Sequence, residues 1–225
     1  MAARFLYLVG DFMTAVFLYC RAGFEAECAA EIQAQAAVHG AHGYCKAKAG
    51  SGYVLFQPGE PEAAEDLIQA LSLGELVFAR QWFVVLGLRT DLPPGDRVAP
   101  LVETAMALPG PVADTFLETP DTNEGKSLSA LCRAIGRPLR SALHEAGLVA
   151  DDAVLRLHIC FLSTHAAYLG YAPLDNSTPW PGGVPRLKSP AAAPSRSTLK
   201  LEEALLHFLG AEGRDRAVAV QDRGT

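Results

Sequence analysis

No stretch of this 225-residue chain is long and apolar enough to cross a bilayer. The nearest, residues 5–19, is too short and carries Asp11. No secretory leader is expected either, because the basic start is Arg4 alone and no small-residue cleavage site follows. Met13 is an alternative start, so residues 1–14 are expected to be an N-terminal extension. There is no C-x-x-C pair. The five cysteines (Cys20, Cys28, Cys45, Cys132, Cys160) are scattered and odd in number, which argues against a disulfide framework and for reduced thiols in a cytoplasmic protein. An overall basic excess is absent too: the net charge is -6 and the pI near 5.5. Any contact with nucleic acid must therefore rest on local patches. No repeat recurs at a fixed period. Gly50-Ser51-Gly52 leads into a strand rather than a helix, so it is no phosphate loop. His39, His42 and Cys45 lack a fourth ligand, and their spacing is read as chance, with no metal expected.

What is present is ordinary for a folded protein: half the residues are hydrophobic and a fifth charged, enough for one large domain or two small ones. The apolar run 15–20 reads as a buried strand. Residues 24–37 form a helix, since Phe24, Cys28, Ile32 and Ala36 recur every four positions and Glu25, Glu27 and Glu31 load its early turns. Residues 47–52 form a turn, 53–57 a strand and 61–71 a helix. A long strand over 77–88, with Arg80 and Gln81 as polar intrusions, is followed by a helix over 96–108 and a strand over 112–118. Helices are expected over 126–135 and 138–146, broken by Gly136-Arg137-Pro138. Strands 153–162 and 166–172 close as a hairpin, and the sheet ends after Pro173. This order predicts an α+β protein: a small ferredoxin-like unit, then a mixed α/β unit.

Charge is unevenly placed. No acid occurs between Asp175 and Glu202, while Arg186, Lys188, Arg196 and Lys200 all fall in that gap. Its first half is rich in Pro and Gly and reads as an extended strap. Its second half reads as a helix start capped by Ser195 or Ser197, with leucines following. Upstream, Lys126 and Arg133 are seven apart, and Arg137, Arg140 and His144 follow at spacings of three and four. These stripes fit RNA phosphates, although a charge stripe is more often a solvated face. Arg80 with Trp82 has the residue types that stack on an unpaired base, whereas a core Trp is the commoner case. Ser163, His165 and Asp175 can be drawn as a nucleophilic triad, without a nucleophile-elbow sequence to support it. Lys200, in an early helical turn among other cations, is placed to orient or deprotonate a hydroxyl, or simply to pair with Glu202 or Glu203.

Longer blocks carry a resemblance. Cys20-Arg21-Ala22-Gly23-Phe24-Glu25, Phe78-Ala79-Arg80-Gln81-Trp82-Phe83, Asp121-Thr122-Asn123-Glu124 with Lys126, and Pro138-Leu139-Arg140 are similar to the ribosomal RNA large subunit methyltransferase M family. So are Pro185-Arg186-Leu187-Lys188 and the run from Ala193 to Ala204. The resemblance spans residues 15–209. It implies 2′-O-methylation of a cytidine in large-subunit (23S) ribosomal RNA with S-adenosylmethionine. It also implies a ferredoxin-like subdomain (15–72), a THUMP-type α/β RNA-binding subdomain (73–174), a basic linker (175–194) and the start of a Rossmann-like methyltransferase domain (195–225). Lys200 matches the first lysine of the family's Lys-Asp-Lys-Glu tetrad, and Ser197 is carried over as a cofactor contact. Arg80, Lys126, Arg133, Arg137, Arg140, Arg186, Lys188 and Arg196 are the RNA-binding candidates.

The chain departs from the family after residues 217–220. It reads Gln221-Asp222-Arg223-Gly224-Thr225 where the family has an Asp-Leu-Gly strand end and a Pro-Gly-Gly cofactor turn. The tetrad's remaining Asp, Lys and Glu have no counterpart. The expectation is a truncated form holding the RNA-binding half, with the methyltransferase domain missing, inactive alone and unable to bind S-adenosylmethionine. Micromolar binding in a calorimetric titration would overturn that. The alternatives are a stand-alone THUMP-like RNA-binding adaptor and, in another class, a hydrolase using Ser163 and His165.

Overall fold

The computed structural model describes residues 15–187, 199–206 and 208–209. They fall in two units, divided after Gly183, which are described separately. The first contains one seven-stranded mixed sheet in the order β2-β3-β1-β4-β7-β6-β5. Its first half is β1 (Val16–Cys20), α1 (Glu25–Val38), β2 (Gly43–Ala47), β3 (Tyr53–Pro58), α2 (Ala63–Ala70) and β4 (Ala79–Arg89). That is a βαββαβ unit with its first strand between the third and fourth, the ferredoxin-like arrangement. The second half adds α3 (Val98–Ala105), β5 (Val112–Glu118), α4 (Asn123–Ser127), α5 (Ser129–Glu145), β6 (Leu155–Phe161) and β7 (Ala167–Pro173).

The two halves meet in β4, which is 11 residues long because it has two jobs. Its first part pairs antiparallel with β1, Phe17 opposite Phe83 and Leu18 opposite Trp82. From Val84 onward it pairs antiparallel with β7, Val84 opposite Tyr171 and Arg89 opposite Ala167. The sheet is thus continuous, and β4 is a member of both halves rather than the start of the second.

Alternation sorts the strand residues between two faces. Val16, Leu18, Val54, Phe56, Trp82 and Val84 point toward α1 and α2 in one buried cluster. Leu157, Ile159, Phe161, Ala167 and Leu169 meet Leu101, Leu139 and Leu143 in another. Ala167, Leu169 and Tyr171 alternate along β7 and join these two clusters, so all four long helices cover the same face. The other face carries Phe17, Tyr19, Leu55, Phe83, Cys160 and Ala172. Phe17 stacks on Phe83 at 4.7 Å, and Phe83 stacks on His158 at 5.2 Å across β7. Gly170 makes that crossing possible, because a Cβ there would stand 2.2 Å from the Phe83 ring and 2.1 Å from the Val84 carbonyl.

None of the four long helices covers this face, which is concave. Tyr19 on β1 donates its hydroxyl to Glu118 on β5 at 2.9 Å, yet β4, β7 and β6 lie between those strands. A flat sheet would hold them about 19 Å apart. Strong coiling, the usual consequence of strand twist, brings the two together.

Two sequence expectations change. The segment Gly43–Ala47, read as loop leading into a turn, is strand β2, paired with β3 from Gly43 opposite Pro58 to Ala47 opposite Val54. It is an edge strand with only Cys45 part-buried, so no hydrophobic alternation betrays it. The expected break at Gly136-Arg137-Pro138 is absent, and α5 runs through Pro138 for 17 residues. Pro138 lacks only one backbone donor, and the apolar face formed by Leu139 and Leu143 holds the helix on the sheet. The interruption falls at Leu128 instead, between α4 and α5. In the second unit, residues 199–206 and 208–209 are helical. The expected cap at Ser195 or Ser197 lies outside the described residues.

Candidate nucleic-acid interface

Continuity of α5 changes the meaning of its charges. Arg133, Arg137, Arg140 and His144 stand at spacings of four, three and four on one helix. At about 100° per residue they fall within about 60° of one another, over about 16 Å of axis. All four side chains are exposed. None of the three arginines is in an ion pair with another described residue. Lys126 is exposed on α4, but the interruption at Leu128 takes it off the α5 stripe, so its seven-residue spacing to Arg133 does not align them.

Between α5 and the edge strand β5 lies a groove of about 330 Å³. Arg133 and Arg140 line it, with Leu117, Leu139 and Cys132 as its apolar floor. The helix approaches β5 closely through Gly136, whose Cβ position is 3.4 Å from Leu117. Burial pushes the Cys132 thiol up to about 11, so it is no nucleophile at neutral pH.

The other candidates are placed as follows. Arg80 is part-buried and pairs with Asp121 at 3.5 Å. Trp82 and Phe83 are fully buried, so neither ring can stack on a base. In the second unit Arg186 and Lys200 are exposed. Lys188, Arg196 and Ser197 lie outside the described residues. Ser163 and His165 sit in the β6–β7 turn, whereas Asp175 follows the far end of the seven-residue β7, about 20 Å away along the strand. The triad is not assembled. Among the described residues no three His, Cys, Asp or Glu side chains form a metal ligand set.

Sequence reasoning missed a second arrangement, the polar clamp on the segment after β7. Gln81, fully buried, donates to the Thr178 carbonyl at 3.0 Å and accepts from the Thr178 amide at 3.2 Å. Arg156 donates to the Thr178 carbonyl at 2.7 Å and to Asp114 at 2.7 Å, with its guanidinium 4.1 Å from the Phe116 ring centre. Trp82 donates its indole N–H to the Asn176 carbonyl at 2.8 Å. The Asn176 amide donates to the carbonyls of Ile68 and Leu71 at 2.6 and 2.9 Å, at the end of α2. Glu118 accepts from Tyr19, from Nδ1 of His158 at 2.9 Å and from the Gly182 amide at 2.6 Å. Burial, then Cys160 and Glu118, push the Tyr19 phenol well above its ordinary value, so it stays a donor. Gly183 must be glycine, since it has φ 70° and a Cβ there would meet the Arg80 carbonyl at 2.1 Å. The sequence signal was the set of polar residues inside apolar strands: Gln81, Glu118, Arg156 and His158. A buried polar side chain needs a partner, and here the partner is the departing chain.

Fold and surface together define a ferredoxin-like unit extended through a shared strand into a mixed α/β half that carries an exposed basic helix beside an edge strand. Comparison of sequences narrows this. Residues 13–83 match the RlmM ferredoxin-like domain, and residues 96–173 match the N-terminal region of ribosomal RNA large subunit methyltransferase M. The chain belongs to the ribosomal RNA large subunit methyltransferase M family, whose N-terminal part it matches. It is 49% identical over 207 residues to the "Ribosomal RNA large subunit methyltransferase M" of Cellvibrio japonicus (strain Ueda107), covering 92% of this chain and 59% of that protein. With the protein of the same name from Shewanella amazonensis it shares 46% over 203 residues, covering 89% and 56%. The chain thus spans somewhat over half the length of these relatives. Among solved structures, TrmN from Thermus thermophilus is similar with a TM-score of 0.45 at 18% identity, over 72% of this chain and 47% of that one.

Proposed function

We propose that this chain supplies RNA binding to ribose 2′-O-methylation of large-subunit ribosomal RNA in the cytoplasm. The part after β4 serves as a THUMP-type RNA-binding subdomain, and the basic linker with the second unit leads into the catalytic part of the family's activity. The observation that carries this is the α5 stripe: three arginines and a histidine aligned along one helix, exposed and without ion pairs among the described residues, in a chain of net charge -6. An acidic chain repels polyanions in general, so a concentrated cationic line decides where one can approach. Arg133 and Arg140 also edge a groove against β5, which gives a phosphate backbone a track rather than a flat surface.

S-adenosylmethionine is the methyl donor this activity requires, and the described residues do not fit it. Such a cofactor is normally cradled by a glycine-rich turn between a strand and a helix. Of the glycine-rich turns described, Gly50–Gly52 runs into β3 and Gly182–Gly183 into residues 184–187, which form neither helix nor strand. Lys200 is exposed, and Ser197 lies outside the described residues. No step through the cofactor is assigned to them.

The test is the salt dependence of RNA affinity. Charge reversal of Arg133, Arg137 and Arg140 together is expected to weaken binding to a ribosomal RNA fragment at low salt. It should also flatten the slope of log K against log salt by about 2 to 3, the release expected from three phosphate contacts. An unchanged affinity and slope would reduce the stripe to a solvated helix face.

A further inference from the structure

A second cavity, of about 400 Å³, lies away from the α5 groove, between the β2–β3 turn and the segment joining β5 to α4. This size is at the small end of the range that holds organic ligands. Its apolar walls are Tyr53, Pro120 and Leu162. Its charged groups are Lys48 on one side and Glu124 on the other. The walls come from segments about seventy residues apart, and each is fixed independently of any ligand. The Tyr53 ring is stacked on Phe17 at 4.8 Å and 12°. The turn before it is tied down by Gly52, whose amide donates to buried Glu25 at 2.8 Å and whose carbonyl accepts from the Cys20 amide at 3.0 Å. On the other wall, Thr122 accepts from the Gly125 amide at 3.0 Å.

We propose that this preformed pocket receives one unpaired nucleotide of the bound RNA. The reading rests on the RNA-binding role above. An aromatic and aliphatic wall offers a nucleobase face a surface to lie against. A carboxylate such as Glu124 accepts from an exocyclic amino group, the way acidic side chains read amino-bearing bases. Lys48 supplies the opposite charge for the phosphate. A pocket for a wholly apolar ligand would not place one cation and one carboxylate on facing walls, and a site for phosphate alone would not include the carboxylate. The position also suits a strand lying on α5, because α4 carries Glu124 and continues after Leu128 directly into α5.

The probe is a stem-loop RNA with 2-aminopurine in its loop, compared with a blunt duplex of the same stem. The wild-type chain is expected to prefer the stem-loop and to change its 2-aminopurine fluorescence. Ala49→Trp fills the pocket from an exposed position that lines it. It should abolish the fluorescence change and lower stem-loop affinity about tenfold, or about 1.4 kcal/mol, while leaving duplex affinity unchanged. Lys48→Glu, also exposed, should act in the same direction without adding bulk. The proposal is overturned if both variants keep stem-loop affinity and fluorescence while reversal of the α5 arginines still weakens binding. Displacement of the stem-loop by a micromolar free nucleoside monophosphate would also overturn it, in favour of a small-molecule site. Absence of binding to either RNA would sink the RNA-binding role itself.

Discussion

Replacing Glu25 with Gln tests the wall of the second pocket and the packing of α1 in one experiment. Glu25 opens α1 and is buried. One carboxylate oxygen accepts from the Gly52 amide at 2.8 Å, the other from the Gly23 amide at 3.0 Å. Burial by itself would raise its pKa. The backbone donors, Gly52 foremost, outweigh burial and hold it below its ordinary value of 4.5. Gln keeps the shape and one acceptor, but turns an N–H toward the second donor. One charge-assisted hydrogen bond is lost, at about 1.5 to 3 kcal/mol, and two donors are left opposed. A loss of about 2 to 3 kcal/mol in urea unfolding at pH 7 is expected. The pH dependence fixes the cause. Because the folded pKa is depressed, the carboxylate's contribution is complete above its ordinary value and fades as pH falls through the folded one. The gap between wild type and Glu25→Gln should therefore be constant from pH 7 down to about 5 and narrow below that. A gap that stays the same down to pH 3, or one below about 0.5 kcal/mol throughout, would refute the account.

Two other substitutions probe elements the sequence obscured. Glu118→Ala leaves the Tyr19 hydroxyl, His158 Nδ1 and the Gly182 amide without their acceptor in a buried site. It should cost about 3 to 5 kcal/mol and speed amide hydrogen exchange at Gly182, whereas a loss below about 1 kcal/mol would mean water replaces the carboxylate. Pro138→Ala restores a donor inside α5 at an exposed position and should raise the unfolding free energy in urea by about 1 to 3 kcal/mol. A destabilised variant would show that α5 depends on a proline kink.

Much of the fold was legible because strong local patterns agree with the tertiary result. The apolar runs of β1, β4 and β6 are strands, and the four-residue recurrence of Cys28, Ile32 and Ala36 is the buried face of α1. What failed had no local signal or a misleading one. Strand β2 exists because its backbone pairs with β3, and Tyr44 and Lys46 remain exposed. Gly136-Arg137-Pro138 has a breaker's composition, but Leu139 and Leu143 are fully buried, and that packing overrides propensity. The arginine candidates on α5 were visible one by one. The alignment of Arg137, Arg140 and His144 was legible in their spacing, but that Arg133 joins them on one stripe was not, because it depends on the helix being continuous. The second pocket was beyond reach, since Lys48 and Glu124 are far apart in sequence and line one cavity only in the folded chain.

The shared strand has a consequence for inheritance and dissection. The segment matching the ferredoxin-like domain ends at residue 83, inside β4, just before that strand changes partners from β1 to β7. A gene cut at that seam would leave each piece with half of β4, residues 79–83 beside β1 in the first and 84–89 beside β7 in the second, each a short strand at a chain end, prone to fray and to bare the kind of edge that recruits other chains. The two segments are separable as sequence families yet form one mechanical body. Strain applied at the β2 edge has an unbroken path of backbone hydrogen bonds to the β5 edge beside the basic helix.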